Sequence, residues 1–168
     1  TWSVGAGTGL GKSTLIYDWH SSSYTPMPSE AGHCDFAAQS QFELELISFI
    51  RERKKEKRVS YEQVLSGQGL ANIYLFLRKK GKFKETSYTK EIDKSNCKPE
   101  LISKYRKIDS TCKSTFDMFK IFYAKFARNL CLDAMAFGGV YIAGGIAPRN
   151  KDIFDKGFVK VFGDNHRM

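Results

Sequence analysis

Gly5-Ala6-Gly7-Thr8-Gly9-Leu10-Gly11-Lys12-Ser13 is the stretch whose reading decides the fold. Ala6 through Ser13 fits the relaxed phosphate-loop pattern, in which a small residue, four further residues and Gly-Lys-Ser/Thr bring the lysine to terminal phosphates. Such a loop must run into a helix whose N-terminus faces the phosphates. Residues 13–19, Ser-Thr-Leu-Ile-Tyr-Asp-Trp, are instead β-branched and aromatic, with Leu15, Tyr17 and Trp19 on one face at period two, and this predicts a strand. The first motif position is Ala rather than Gly, and no apolar strand ending in Asp is available to hold magnesium. The competing arrangement is strand, Gly-rich turn, strand. There the glycines let backbone N–H groups crowd around a phosphate, the Thr8 hydroxyl adds a donor, and Lys12 is a bystander. A plain Gly-rich hairpin turn is the third reading, and the motif alone does not separate it from the second.

The chain has 168 residues, of which 42% are hydrophobic, enough for one full core. Because it starts at Thr1 and the Gly-rich motif follows almost at once, we read it as a piece of a longer protein. No run approaches the ~18 to 20 apolar residues that cross a bilayer, and no N-terminal segment resembles a signal peptide. A soluble cytoplasmic protein with no membrane partner is expected. Cys34, Cys97, Cys112 and Cys131 are scattered and form no C-x-x-C pair, so reduced thiols fit better than a zinc knuckle or a disulfide framework. The 27 Lys and Arg against 18 Asp and Glu give a net charge of +9, which suits anionic partners. The excess sits in residues 51–58, 78–84 and 104–107, on or just after predicted helices, where a solvated face is the ordinary reading. No aromatic-basic module for stacking bases accompanies these runs, so nucleic acid is not expected as a partner.

Further along, residues 24–27 are expected to pair back on the strand at 13–19. From Ser40 the pattern becomes helical and runs into the basic segment. Ser60 can cap a short helix, with Glu62 and Gln63 two and three positions on. Ser66-Gly67-Gln68-Gly69 is read as an interruption before a helix over 70–80, and residues 81–97 as loop. Pro99 opens a helix through Ile108. A long core helix is expected over 114–137, with Phe116, Phe119, Phe122, Phe126, Leu130 and Phe137 inward. Val140 to Ala143 has the composition of a buried strand. A short helix over 149–155 and an apolar segment at Phe158 to Phe162 follow, and residues 163–168 are read as irregular.

Three other segments carry a family resemblance. Glu30-Ala31-Gly32-His33-Cys34-Asp35-Phe36-Ala37, Tyr61-Glu62-Gln63-Val64-Leu65-Ser66-Gly67-Gln68-Gly69-Leu70 and Ala136 through Arg149, with Gly138-Gly139-Val140-Tyr141-Ile142-Ala143-Gly144-Gly145, resemble signature motifs of the bacterial-type glucokinases. With the Gly-rich turn they make four motifs in family order. The resemblance implies an α/β fold of the actin-like ATPase (ribonuclease H-like) type, with a mixed sheet flanked by helices. Residues 1–168 would be part of the C-terminal large domain, incomplete relative to the two-domain family fold, with the N-terminal small domain absent. It also implies ATP-dependent phosphorylation of glucose at the 6-hydroxyl, the first step of glycolysis, with ATP and Mg2+ required, glucose and ATP as partners and a homodimer allowed.

Carried over residue by residue, Glu30, His33 and Glu62 are the implied sugar ligands, since carboxylates accept hydrogen bonds from sugar hydroxyls. Gly7, Thr8 and Gly9 would hold ATP phosphates, and Gly144 and Gly145 would let the backbone approach the adenosine. No metal ligand is implied. The family's general-base Asp, in an upstream Asn-Asp pair, and its first phosphate motif do not occur in this chain, and neither Asp35 nor Asp18 is assigned as the base. A related family of repressors and sugar kinases follows its Glu-x-Gly-His motif with a cysteine-rich zinc loop; this chain lacks that loop. Two alternatives stand beside the kinase: a P-loop NTPase, and a non-catalytic sugar- or nucleotide-binding remnant.

Overall fold

The computed structural model describes residues 1–133 and 135–165. Ala134 and residues 166–168 lie outside the described residues, so the end of the expected long helix, where it crosses Ala134, and the last of the irregular tail are not assigned.

Four strands, β1 (Trp2–Ala6), β2 (Leu10–Asp18), β3 (Ser23–Ser29) and β4 (Val140–Ala143), form one sheet in the order β3-β2-β1-β4. β2 runs antiparallel to both β1 and β3, whereas β4 lies parallel to β1 from Trp2 opposite Val140 to Gly5 opposite Ala143. The sheet is therefore mixed, and the strand expected at 13–19 is the outer half of β2. Trp2, Val4 and Ala6, alternating along β1, are all buried, as period two requires of a strand with one face on the core.

Helices α1 (Gln41–Lys54), α2 (Gly67–Lys80), α4 (Lys98–Tyr105) and α5 (Ser110–Asp133) flank that sheet with the shorter α3 (Ser87–Lys94), α6 (Ile146–Arg149) and α7 (Lys156–Phe162). Local chemistry sets their ends. Ser40 caps α1 by accepting from the Glu43 amide, and Lys55 closes it in the left-handed region at φ 55°. Ser60 and Gln63 form the expected capping box, around a 3-10 turn at Tyr61–Gln63. Along α5, Phe116, Phe119, Phe122, Phe126 and Leu130 are buried, each contributing roughly 1.5 to 3 kcal/mol of burial energy. α5 packs against α2, α4, α7 and β1, which makes it the spine of the core.

Six expectations need correction. Gly67 to Gly69 do not interrupt a helix but begin α2, because Ser66 accepts from the Gly69 amide at 3.0 Å. Gly69 is needed there, since a Cβ would stand 2.4 Å from the Val64 carbonyl carbon. Within 81–97, residues Ser87–Lys94 are helical, capped by Thr86 through the Thr89 amide and anchored by buried Thr89 and Ile92. The short helix expected over 149–155 is instead the end of α6, a 3-10 turn at Lys151–Ile153 and the Asp155 cap of α7, which makes the apolar segment at 158–162 helical. Phe137 is 94% exposed rather than inward, because Met135, at φ 42°, turns the backbone off the helical path two residues before it. β4 is half-exposed rather than buried, since it is an edge strand.

Candidate active site

Gly7, Thr8 and Gly9 close the turn between β1 and β2, with Ala6 opposite Leu10 and the Gly7 amide bonded to the Gly9 carbonyl at 2.8 Å. Thr8 is exposed at its tip. Three contacts pin the turn. The Gly67 amide at the start of α2 donates to the Gly7 carbonyl at 2.8 Å. The Leu10 amide donates to the Glu62 carboxylate at 2.9 Å. The Tyr123 hydroxyl accepts from the Ala6 amide at 3.3 Å.

A cleft of about 460 Å³ opens on one side of the turn, lined by Gly7, Thr8, Gly67, Gln68, Gly145 and Arg149 among others. Three helices begin beside it: α2 at Gly67, α4 near Pro99 and α6 at Ile146. The Gly67 and Gly69 amides at the start of α2 are already engaged, by Gly7 and Ser66, but the partial positive charge of helix N-termini and the Arg149 guanidinium favour anions along this wall. Gly145 has open space where a Cβ would stand. Gly144 differs: at φ 81° a Cβ would lie 2.4 Å from the Ala6 carbonyl oxygen, so this glycine serves close packing of β4's end on β1.

A second cleft of about 430 Å³ is lined by His33, Asp35, Arg58, Ser60, Glu62 and Gln63 among others. The segment carrying Glu30 and His33 is a 3-10 turn at Ala31–His33, and His33 Nε2 stands 3.7 Å from Glu30 Oε2 with both side chains largely exposed. The Tyr61 amide donates to the Cys34 carbonyl at 2.9 Å and the Phe36 amide to the Val59 carbonyl at 2.8 Å, tying this segment to the one that bears Glu62. Asp35 is held by Arg58 in two hydrogen bonds of 2.9 Å, which keep its carboxyl below the usual carboxylate range.

Of the eight candidate residues, Gly7, Thr8 and Gly145 line the first cleft, and His33 and Glu62 line the second. Glu30 stands beside His33. Gly9 faces the Glu62 carboxylate, whose Oε2 would be 2.7 Å from an added Cβ. Lys12 is on β2, not at a helix start: its Nζ sits 3.8 Å from the Trp2 ring centroid and 3.9 Å from Asp133. Residues the sequence reading missed are Gly67, Gln68, Pro99, Glu100, Ser103, Arg149 and Asn150 in the first cleft. Gly67, Gln68 and Arg149 lay within the quoted motifs without being singled out, and Pro99 carried a signal as a helix opener.

The mixed sheet with its Gly-rich antiparallel turn and parallel fourth strand is that of the actin-like ATPase class, present here in part. The glucokinase family model matches residues 2–168, and the chain belongs to that family. A glucokinase of Nostoc punctiforme is 33% identical over 179 residues, covering 98% of this chain and 52% of that protein. The crystal structure of a glucokinase from an Antarctic psychrotroph is similar with a TM-score of 0.77 at 27% identity, over 99% of this chain and 49% of the other. A ROK family glucokinase from Streptomyces griseus, solved in complex with glucose and AMPPNP, shares the fold with a TM-score of 0.61 at 15% identity, over 99% of this chain and 52% of the other. The chain spans about half the length of the curated relatives it matches. Among the described residues, no group of three or more His, Cys, Asp or Glu side chains is placed to hold a metal ion, and no helix is long and apolar enough to cross a membrane.

Proposed function

We propose that this chain is the larger part of the C-terminal large domain of an ATP-dependent glucose kinase, supplying sugar-binding and nucleotide-binding groups to phosphorylation at the 6-hydroxyl in the cytoplasm. The observation that carries the reading is that the Gly7–Gly9 turn lines one cleft, with Thr8 and three helix starts, and is bonded through Leu10 to Glu62, which lines the other with His33. Anionic phosphates suit the first and sugar hydroxyls the second.

In this scheme the Thr8 hydroxyl and turn amides orient the phosphates, Gly145 leaves room for the adenosine, and Glu30, His33 and Glu62 orient the sugar. Positioning and charge stabilisation carry most of phosphoryl transfer. The base that takes the hydroxyl proton comes from outside residues 1–168. Magnesium would enter with the nucleotide and neutralise phosphate charge. Among the described residues lining the first cleft, Glu100 is the one carboxylate, so these side chains do not form a magnesium cage and no step here depends on a protein-held ion. A polypeptide extended upstream to include an Asn-Asp pair should form ADP in a glucose-dependent manner, while residues 1–168 alone should turn over little or none. Failure of the extended protein to show glucose-dependent ADP formation sinks the proposal.

A further inference from the structure

Leu10, the residue immediately after the Gly7–Gly9 turn, is gripped from two sides by the segments that carry the sugar candidates. Its amide donates to Glu62 Oε2 at 2.9 Å. Its carbonyl oxygen lies against Gly32, where an added Cβ would come within 2.1 Å of it. We infer that Glu62 is a positioning residue for the Gly7–Gly9 turn: its carboxylate, with Gly32 as the opposing wall, sets where the turn presents its amides to the nucleotide. The inference rests on the reading of that turn as the phosphate contact.

The chemistry supports a clamp rather than a chance contact. A backbone amide donating to a carboxylate makes a charge-assisted bond, about twice as strong as a neutral one. Gly9 has no side chain where the carboxylate passes, since a Cβ would stand 2.7 Å from Glu62 Oε2. The opposing wall at Gly32 is backbone against backbone, so it cannot yield by rotating a side chain. Glu62 itself is fixed from behind: it sits in the 3-10 turn at Tyr61–Gln63, whose Ser60 and Gln63 form a capping box, and its carbonyl accepts from Ser66 Oγ at 2.7 Å. Ser66 also caps α2, whose first amide, that of Gly67, holds Gly7. The short stretch from Ser60 to Gly67 thus fastens both ends of the turn, at Gly7 and at Leu10. A carboxylate has about four acceptor positions, and among the described residues Oε1 makes no hydrogen bond, so gripping Leu10 leaves an oxygen for a sugar hydroxyl.

The test uses the full 168-residue chain as wild type, Glu62→Gln and Glu62→Ala. Two quantities are measured without sugar: hydrogen exchange at the Leu10 amide, and AMPPNP affinity by calorimetry, with far-UV circular dichroism to confirm the fold. Glu62→Ala should speed Leu10 exchange by about tenfold or more and weaken AMPPNP by roughly fivefold, of the order of 1 kcal/mol for a lost hydrogen bond. Glu62→Gln keeps an oxygen acceptor but loses the charge, so both quantities should fall between those of wild type and Glu62→Ala. Wild-type Leu10 exchange in Glu62→Ala, unchanged AMPPNP affinity there, failure of Glu62→Gln to rescue, or no AMPPNP binding by the wild-type chain each overturns the inference. Glucose titrations separate it from the sugar-ligand reading. Weakened glucose binding with unaltered Leu10 exchange and AMPPNP affinity removes the positioning role alone. Altered exchange and AMPPNP affinity with unaltered glucose binding removes the sugar-ligand role alone.

Discussion

The hydroxyl of Tyr123 accepts a hydrogen bond from the Ala6 amide at 3.3 Å, joining residues 117 positions apart. The same hydroxyl donates to the Val4 carbonyl at 3.2 Å. The ladder between β1 and β4 ends at Gly5 opposite Ala143, and Tyr123 takes over just beyond it, in the last residue before the turn. Tyr123→Phe keeps the ring packing and removes only this partner. Leaving a buried donor unsatisfied costs about 1 to 3 kcal/mol, so urea denaturation should show a loss of that size with an unchanged m-value. An unaltered midpoint would show that the hydroxyl does not secure the strand.

The same residue makes stability fall at high pH. Burial pushes the Tyr123 hydroxyl up to about 12, and the Ala6 amide offsets this only in part. In the unfolded chain it titrates near its ordinary value of about 10. Between those limits the folded state holds a proton that the unfolded state has lost, so stability declines as pH rises. Its contribution is intact below about pH 10, and roughly 2 to 3 kcal/mol is gone by about pH 12. Burial raises Tyr61 and Tyr74 in the same direction, so the measurement is the difference between wild type and Tyr123→Phe. That difference should shrink from pH 9 to 12, and parallel curves would count against it.

Gly144 and Gly145 are adjacent yet should respond oppositely to alanine. At position 144 the backbone is left-handed and a Cβ would meet the Ala6 carbonyl oxygen at 2.4 Å and its nitrogen at 2.7 Å. Gly144→Ala should lower stability by about 2 kcal/mol or more, since the left-handed backbone alone costs roughly 1 to 2 kcal/mol. Gly145 has φ −72° and nothing within 4 Å of an added Cβ. Gly145→Ala should leave stability within about 0.5 kcal/mol while placing a methyl in the first cleft and weakening AMPPNP. Thermal melts and AMPPNP titrations of the two variants distinguish packing from ligand approach.

That contrast also marks how far the sequence could be read. The alternation after Ser13 predicts β2, and the spacing of Phe116, Phe119, Phe122, Phe126 and Leu130 predicts α5, because both patterns reflect burial on one face. α3 escaped because its stretch is mostly polar and only Thr89 and Ile92 are buried. Gly67-Gln68-Gly69 looked like a break because a glycine required by tight packing and one that ends a helix are the same letter. The two clefts were legible only as separate motifs. That Glu62 bonds Leu10 depends on a contact across 52 positions, which no local pattern contains.

Lys12 provides the sharpest test against the P-loop reading. Its side chain is 9% exposed, with Nζ 3.8 Å from the Trp2 ring centroid and 3.9 Å from Asp133 Oδ2. It stands opposite Val4 in the β1–β2 ladder, three residues past the turn and on the strand rather than at a helix start. A lysine over an indole contributes about 0.5 to 2 kcal/mol, so its role here is to cover Trp2. Lys12→Ala should therefore lower stability by about 1 to 2 kcal/mol. AMPPNP affinity should stay within about twofold of wild type at temperatures well below the melt. In a P-loop the same substitution removes the group that reaches the terminal phosphates, and nucleotide binding would be lost with little change in stability. Thr8→Ala gives the complementary measurement: it alters an exposed turn tip, so stability should hold within about 0.5 kcal/mol while AMPPNP affinity falls by roughly fivefold, about one hydrogen bond's worth. If AMPPNP binding instead follows Lys12 and ignores Thr8, the Gly-rich turn does not work as a hairpin phosphate contact.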